Sequence, residues 1–188
     1  MSIKITIQPT PNPNSLKFIC SMILKTEGKA SLVNPEEAQD IYMAQKLFSL
    51  NGVEQIHFFQ NVLTVTKFDF IPWDNLSEKI VEAIQESIPY HSADFETSSP
   101  EKTRREGLSQ ELQIIEEILD RKIRPGLQSD GGDLICVEFH TKDKVLIIGY
   151  QGACGTCPSS TQGTLEAIRG ILREDFDPEI QVFIAPPA

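Results

Sequence analysis

The amino-acid sequence predicts two small α+β domains joined by a flexible linker. Strand-like and helix-like patterns alternate along residues 1–90 and again along residues 108–188. Between them, residues 91–107 are rich in Ser, Thr and charge and have almost nothing to bury, which is typical of a linker. Hydrophobic residues make up 40% of the 188 residues and charged residues 23%, so wholesale disorder is excluded.

The first domain begins with two predicted strands. Apolar and polar residues alternate at 3–7 and at 15–20, on either side of the turn-forming sequence Thr-Pro-Asn-Pro-Asn at 10–14. A helix is then expected with Asn34 as its N-cap, because a Pro follows directly and a Glu stands three residues after the cap. The Asn-Gly pair at 51–52 should end this helix.

A hairpin and a second helix complete the first domain. Residues 53–59 and 62–68 are predicted to be strands joined by a tight turn at Gln60 and Asn61. Asp74 is expected to cap the helix that follows. The predicted order is therefore strand, strand, helix, strand, strand, helix.

The second domain is predicted to follow the order helix, strand, strand, helix, strand. Ser109 is the expected N-cap of its first helix, and the Arg-Pro-Gly sequence at 124–126 is expected to stop that helix. A hairpin should occupy residues 134–150. A helix ending near Arg173 and a short strand at 179–185 complete the domain.

Charge and hydropathy exclude several classes of function. The formal net charge of −10 disfavours nucleic acid or an anionic membrane as the main partner, because both attract positive surfaces. No apolar run approaches the roughly 20 residues of a membrane span. The first residues lack the features of a secretory signal or a transit peptide, and the four cysteines do not suggest a secreted disulfide scaffold. A reducing cytosol is therefore expected.

The candidate functional site is the loop Gly-Ala-Cys-Gly-Thr-Cys-Pro-Ser-Ser at 152–160, which contains Cys154 and Cys157. The loop lies between a predicted strand and a predicted helix, so both thiols should lie where the helix begins. Pro158 suits the first helical position. Unpaired N–H groups and the positive end of the helix dipole would favour the thiolate, the form that binds metal or attacks a disulfide.

Three roles are compatible with these two cysteines. A zinc site or an iron–sulfur cluster needs four ligands, so one chain would supply half of the site and a two-fold dimer could complete it. Thioredoxin-like dithiol exchange also uses C-x-x-C at a helix start, although that family has an aromatic residue where Ala153 stands, and a larger sheet. The third role is that of small loop residues. The residues alone favour metal or cluster binding over redox exchange, and both over the third role.

The other polar candidates are expected to be structural. Cys20 and Cys136 each stand alone in a predicted strand, as buried cysteines often do. Asp130 and Asp133 flank a Gly-Gly pair and should shape a turn. The three histidines show no ligand spacing, and no nucleophile–base set, phosphate loop or G-x-S-x-G sequence occurs. The sequence therefore predicts a protein that is not an enzyme.

Two stretches of the second domain resemble a known family. Arg-Pro-Gly-Leu-Gln-Ser-Asp-Gly-Gly-Asp at 124–133 and the cysteine loop at 152–160 are similar to the C-terminal domain of the NifU-like (Nfu) iron–sulfur proteins. Thr-Pro-Asn-Pro-Asn-Ser-Leu-Lys-Phe at 10–18 resembles the N-terminal domain found in many Nfu proteins. The resemblance covers both domains in the family's order and leaves out the linker and the extreme C-terminus.

The resemblance implies an iron–sulfur cluster scaffold or carrier. Such a protein binds a cluster, usually [4Fe–4S] with [2Fe–2S] as the alternative, between the C-x-x-C motifs of two subunits and transfers it to apo-proteins. By position, Cys154 and Cys157 take the ligand roles. The implied partners are a second copy of the chain, apo iron–sulfur clients and upstream assembly proteins, with no nucleic acid and no membrane. A thioredoxin-like oxidoreductase using the same two cysteines is the alternative.

The expected location is the bacterial cytoplasm, because the family-like region starts almost at Met1.

Overall fold

The computed structural model describes residues 3–96, 109–155 and 160–185. The chain divides into two compact units, Met1–Ser99 and Pro100–Ala188, each built from helices and strands. The predicted class of two α+β domains is confirmed. Residues 97–107 of the predicted linker lie outside the described residues.

A five-stranded antiparallel sheet in the order β1-β2-β5-β4-β3 forms the first unit. Its strands are β1 (Ile5–Pro9), β2 (Ser15–Cys20), β3 (Lys29–Leu32), β4 (Val53–Phe59) and β5 (Val62–Lys67). Its helices are α1 (Tyr42–Phe48) and α2 (Asp74–Ser87), with 3-10 turns at Pro35–Ala38 and Ile88–Tyr90. Both helices share one apolar core with alternating residues of the sheet, in which Phe18, Phe58 and Ile80 are fully buried.

The first unit differs from the prediction at three points. Strand β3 was not predicted, and the helix expected after Asn34 is interrupted between Pro35–Ala38 and α1. Asn34 is nevertheless the N-cap, because its Oδ1 accepts a hydrogen bond from the Glu37 N–H at 3.0 Å. Asp74 is not a cap: helix α2 starts at Asp74 itself, behind Trp73, and has no side-chain cap.

Residues 91–96, assigned above to the linker, pack against the first unit. The ring of Phe95 lies 5.2 Å from that of Phe58, in an edge-to-face arrangement. The His91 ring stacks on Phe58 at 6.2 Å, and the Thr26 N–H donates a hydrogen bond to the Ala93 carbonyl at 3.0 Å. The rings of Phe95 and His91 and this backbone hydrogen bond therefore attach the stretch to the first unit.

The second unit contains a three-stranded sheet in the order β6-β7-β8. Its elements are α3 (Gln110–Lys122), α4 (Arg124–Ser129), β6 (Gly132–His140), β7 (Val145–Gly152), α5 (Ser160–Asp175) and β8 (Gln181–Ile184). Strands β6 and β7 form the predicted hairpin, whereas β8 pairs with β7 in parallel. Because parallel neighbours need a crossover, the chain between β7 and β8, which includes α5, forms a β-α-β unit.

Short helix α4 is the element that the sequence analysis missed in the second unit. Arg-Pro-Gly at 124–126 ends α3 as predicted, but Pro125 lies at the start of α4, where proline's missing N–H has no helical partner to lose. Ser109 is the predicted N-cap of α3, and its Oγ accepts a hydrogen bond from the Leu112 N–H at 3.3 Å. The order is thus helix, helix, strand, strand, helix, strand.

The apolar faces of these elements meet in one core. Its fully buried residues include Ile115, Leu119, Leu134, Leu146, Ile148, Ile168, Leu172 and Val182. Across the described part of both units, each helix is too short or too polar to cross a membrane.

Candidate metal centre

Cys154 lies in the turn that follows β7. The Gly155 N–H donates to the Gly152 carbonyl at 3.0 Å, and the Ala153 N–H donates to the Gly131 carbonyl, also at 3.0 Å. Gly152 has φ +60, a left-handed conformation that glycine adopts without strain. These bonds fix the first cysteine of the C-x-x-C sequence to the neighbouring turn, which precedes β6.

The sulfur of Cys154 packs directly on Gly132. A Cβ added at Gly132 would lie 2.2 Å from the Cys154 Sγ, so only a glycine leaves room for this thiol. Side chains two apart on a strand point to the same face, so the sulfur lies on the face that also carries Leu134. This face belongs to the core, and Cys154 is 8% exposed.

Cys157 and Pro158 lie outside the described residues, as do Thr156 and Ser159. The pairing of Cys154 with Cys157 therefore remains a prediction. Among the described side chains, no group of three or more His, Cys, Asp or Glu residues is placed to hold a metal ion.

Buried Arg124 ties α3 to the start of β6. Its Nη2 lies 2.7 Å from Glu116 Oε2, and its Nη1 contacts Asp120. Its Nε lies 3.5 Å from Asp133 Oδ1 and donates to the Leu134 carbonyl at 3.4 Å. Burial alone would lower the pKa of Arg124, but the carboxylates outweigh it and the pKa is raised, so the guanidinium stays charged.

Asp133 shapes the turn beside the thiol. It is fully buried, its Oδ1 accepts from the Leu134 N–H at 2.7 Å, and its Oδ2 accepts from Gln128 Nε2 at 3.0 Å. Asp130, by contrast, is exposed and ends α4. Since Asp133 directly follows Gly132, this network fixes the backbone on which the Cys154 sulfur rests.

Tyr150 is the residue at this site that the sequence analysis did not single out. It lies on β7 opposite Leu134, and its hydroxyl oxygen is buried without a hydrogen-bond partner in the described part of the chain. Burial raises the pKa of Tyr150 to about 12; the nearby Cys154 adds to the rise and Arg169 opposes it. The sequence could have indicated Tyr150, because it lies two residues before Gly152 and therefore on the same face of the strand as the start of the cysteine loop.

The remaining cysteines and two of the histidines occupy structural positions. Burial raises the pKa of the Cys20 thiol to about 11, and Cys136 lies buried on β6 in the second core. His57 Nδ1 lies 2.6 Å from Ser31 Oγ, and His91 Nε2 lies 2.7 Å from the Leu24 carbonyl.

Two family models match the chain in sequence. The model described as "Scaffold protein Nfu/NifU N terminal" matches residues 5–91, and the model described as "NifU-like domain" matches residues 115–183.

Relatives from plants and animals match across both units. NifU-like protein 5, mitochondrial, of Arabidopsis thaliana is 31% identical over 172 residues, which are 89% of this chain and 62% of that protein. The human NFU1 iron-sulfur cluster scaffold homolog, mitochondrial, is 32% identical over 182 residues, which are 94% of this chain and 69% of that protein. The chain thus spans about three fifths of the length of the Arabidopsis relatives.

Solved structures match about half of the chain. The solution structure of a NifU-like protein from Saccharomyces cerevisiae covers 52% of this chain and 87% of its own, with 27% identity and a TM-score of 0.46. The crystal structure of protein SAV1430 from Staphylococcus aureus covers 45% of this chain and 99% of its own, with 21% identity and a TM-score of 0.39.

The predicted bacterial cytoplasm is wrong. The Arabidopsis, human and Drosophila relatives are named as mitochondrial proteins. The family-like residues near Met1 carry the fold of the first unit, and a fold does not specify a compartment.

The two family models match in the same order as the two structural units, and the human relative matches over more than two thirds of its length. The chain belongs to the NifU-like (Nfu) family of iron–sulfur cluster scaffold proteins.

Proposed function

We propose that this protein binds an iron–sulfur cluster through Cys154 and Cys157 and transfers it to apo-proteins. The observation that carries the proposal is the Cys154 thiol on the turn after β7, which packs on Gly132 next to the Arg124–Asp133 ion pair. Thiolates are the ligands that iron–sulfur clusters prefer. Cluster binding is thus proposed for a sulfur whose position the fold itself fixes.

We propose a cluster shared by two subunits. A [4Fe–4S] or a [2Fe–2S] cluster takes four thiolates, and the C-x-x-C sequence supplies two per chain. A two-fold dimer presents the same loop twice and completes the set. We favour [4Fe–4S], with [2Fe–2S] as the alternative.

The residues around Cys154 would act by fixing the backbone against which its sulfur packs. Arg124 and Asp133 fix the turn before β6 on which the Cys154 sulfur rests, and the thiol would lose its proton when it binds the cluster.

The proposed activity is delivery rather than catalysis. The family consists of scaffold proteins, and the human relative is itself named a scaffold homolog. A cluster held by two thiolates from each subunit is released when the subunits separate, which suits transfer to apo-proteins. Upstream assembly proteins would supply the cluster, and the first unit is proposed to contact these partners or the clients.

Anaerobic reconstitution with iron and sulfide tests the proposal. We expect about four irons and four sulfides per dimer for a bridging [4Fe–4S] cluster, with a broad visible absorption band. Cys154→Ser and Cys157→Ser should abolish the band and leave the fold intact. The buried Cys20→Ser and Cys136→Ser are matched controls that should keep it. A Cys136→Ser variant that loses the cluster as completely as Cys154→Ser would show that the ligand set is wrong.

Dithiol exchange is retained as the second candidate on one observation. The C-x-x-C loop lies in a β-α-β crossover between β7 and β8, as a thioredoxin-like loop does. Ala153 and the sheet of three strands disfavour it, because thioredoxin-like proteins have an aromatic residue before the first cysteine and a larger sheet. A protein that takes up no cluster but cycles readily against glutathione would support this candidate.

A further inference from the structure

We propose that the Tyr150 hydroxyl donates a hydrogen bond to the Cys154 sulfur, or to a sulfide beside it, when the cluster is bound. Tyr150 would be a positioning residue that slows cluster release and raises the cluster's reduction potential. This inference rests on the proposed function and deepens it at the same site.

The register of the β6–β7 hairpin places the phenol beside the thiol. Gly132 pairs with Gly152, and Leu134 pairs with Tyr150 on the next same-face rung. The Cys154 sulfur occupies the space that a side chain at 132 would fill, so it shares a face with Tyr150. The two are diagonal neighbours, a separation that aromatic side chains reach across a hairpin.

The hydroxyl lacks a partner among the described residues. Its oxygen is buried, and a buried polar group left without a hydrogen bond destabilises the folded protein. The neighbouring Arg169 directs its donors elsewhere: Nη2 and Nε donate to the Val182 carbonyl at 2.7 and 3.0 Å, and Nη1 lies 2.6 Å from Glu166 Oε1. A buried donor of this kind fits a site whose acceptor arrives with the ligand.

The hydroxyl is also in the right protonation state to donate. A tyrosine hydroxyl ordinarily has a pKa of about 10, so it is a neutral donor at physiological pH. A thiolate or sulfide acceptor is negatively charged, and hydrogen bonds to charged groups are stronger than neutral ones. Donors aimed at cluster sulfurs stabilise the more negative, reduced form and thereby raise the reduction potential.

Tyr150→Phe in the full chain removes the donor and keeps the ring. After anaerobic reconstitution we expect the same iron and sulfide per dimer as in wild type. Cluster loss to an iron chelator should be about tenfold faster than in wild type, which is the effect expected when one charge-assisted hydrogen bond is lost. The reduction potential should fall, and the iron–sulfur stretching bands in resonance Raman spectra should shift.

Tyr90→Phe is the matched control, because Tyr90 is 70% exposed in the first unit and should leave all three readouts unchanged. Thermal unfolding of the cluster-free protein separates positioning from folding. An unpartnered hydroxyl contributes no stability, so apo Tyr150→Phe should unfold at the wild-type temperature or above it. A clear fall would overturn the inference, because the hydroxyl would then have a partner within the chain.

Wild-type rates of cluster loss together with a wild-type potential in Tyr150→Phe would also overturn the inference, while leaving the proposed function intact. A wild-type protein that takes up no cluster would instead overturn the proposed function, and this inference with it.

Discussion

At the scale of single residues, the site requires glycine at position 132, because a side chain there would collide with Cys154. The Cys154 sulfur fills the space above Gly132, so these two positions are sterically coupled. The coupling comes from the hairpin register and from the turn at Gly152, which bring residues twenty-two positions apart into contact. The sequence showed the glycines and the cysteine but not their contact, because no local pattern specifies where a turn places a side chain.

Gly132→Ala should destabilise the second unit by about 1–3 kcal/mol, since the new methyl group overlaps the sulfur and packed interiors resist added volume. Urea unfolding measures the loss. Gly170→Ala is the control, because a Cβ there meets nothing within 4 Å and Ala favours a helix. Adding Cys154→Ala to Gly132→Ala should restore much of the stability, and strictly additive effects would contradict the proposed overlap.

His91 should make the first unit less stable in mild acid. Burial lowers its pKa below the unfolded value of 6.5, although its hydrogen bond to the Leu24 carbonyl opposes this. The unfolded chain therefore binds the proton first, and stability is lost as the pH falls below about 6.5 toward the folded pKa.

Urea unfolding at pH 7.5 and 5.5 measures the contribution of His91. His91→Gln keeps a side-chain donor but does not titrate, so its loss of stability between the two pH values should be smaller than in wild type. Equal losses in the two proteins would exclude His91 as the cause.

At the scale of elements, Arg124 joins three parts of the second unit. It contacts Glu116 and Asp120 on α3, begins α4, and reaches Asp133 and the Leu134 carbonyl on β6. One buried cation thus holds the turn beneath the thiol against a helix.

Arg124→Met should cost about 3–5 kcal/mol, because it leaves buried carboxylates without their cation. Chemical denaturation measures the change. Arg121 is exposed on α3, three residues before Arg124 in the chain. The free energy of unfolding of Arg121→Met should stay within about 0.5 kcal/mol of the wild-type value. A loss of less than 1 kcal/mol in Arg124→Met would show that the network adds little to stability.

The elements also show how far sequence patterns reach. Asn34 and Ser109 were identified as helix caps because capping is local chemistry. Strand β3 was missed because it is four residues long and its pairing with β4 is a tertiary event. Helix α4 was missed because Pro125 was taken only as a stop signal, although proline is also favoured where a helix begins.

At the scale of the whole molecule, the proposed shared cluster links cargo to assembly state. We expect loading to convert the protein to a dimer, because each chain brings two of the four thiolates. Multi-angle light scattering of the cluster-free and loaded protein, run anaerobically, measures the mass. Cys154→Ser treated with the same iron and sulfide should keep the cluster-free mass, and a loaded monomer would contradict the bridging arrangement.

The parallel pairing of β8 with β7 has a consequence during synthesis. The cysteine loop leaves the ribosome before α5 and β8, so one edge of β7 stays unpaired until β8 emerges. In that interval the thiol that folding later covers is open to oxidants and stray metal ions. The core that buries Cys154 includes residues of α5 and β8, so it closes only after both elements have been made.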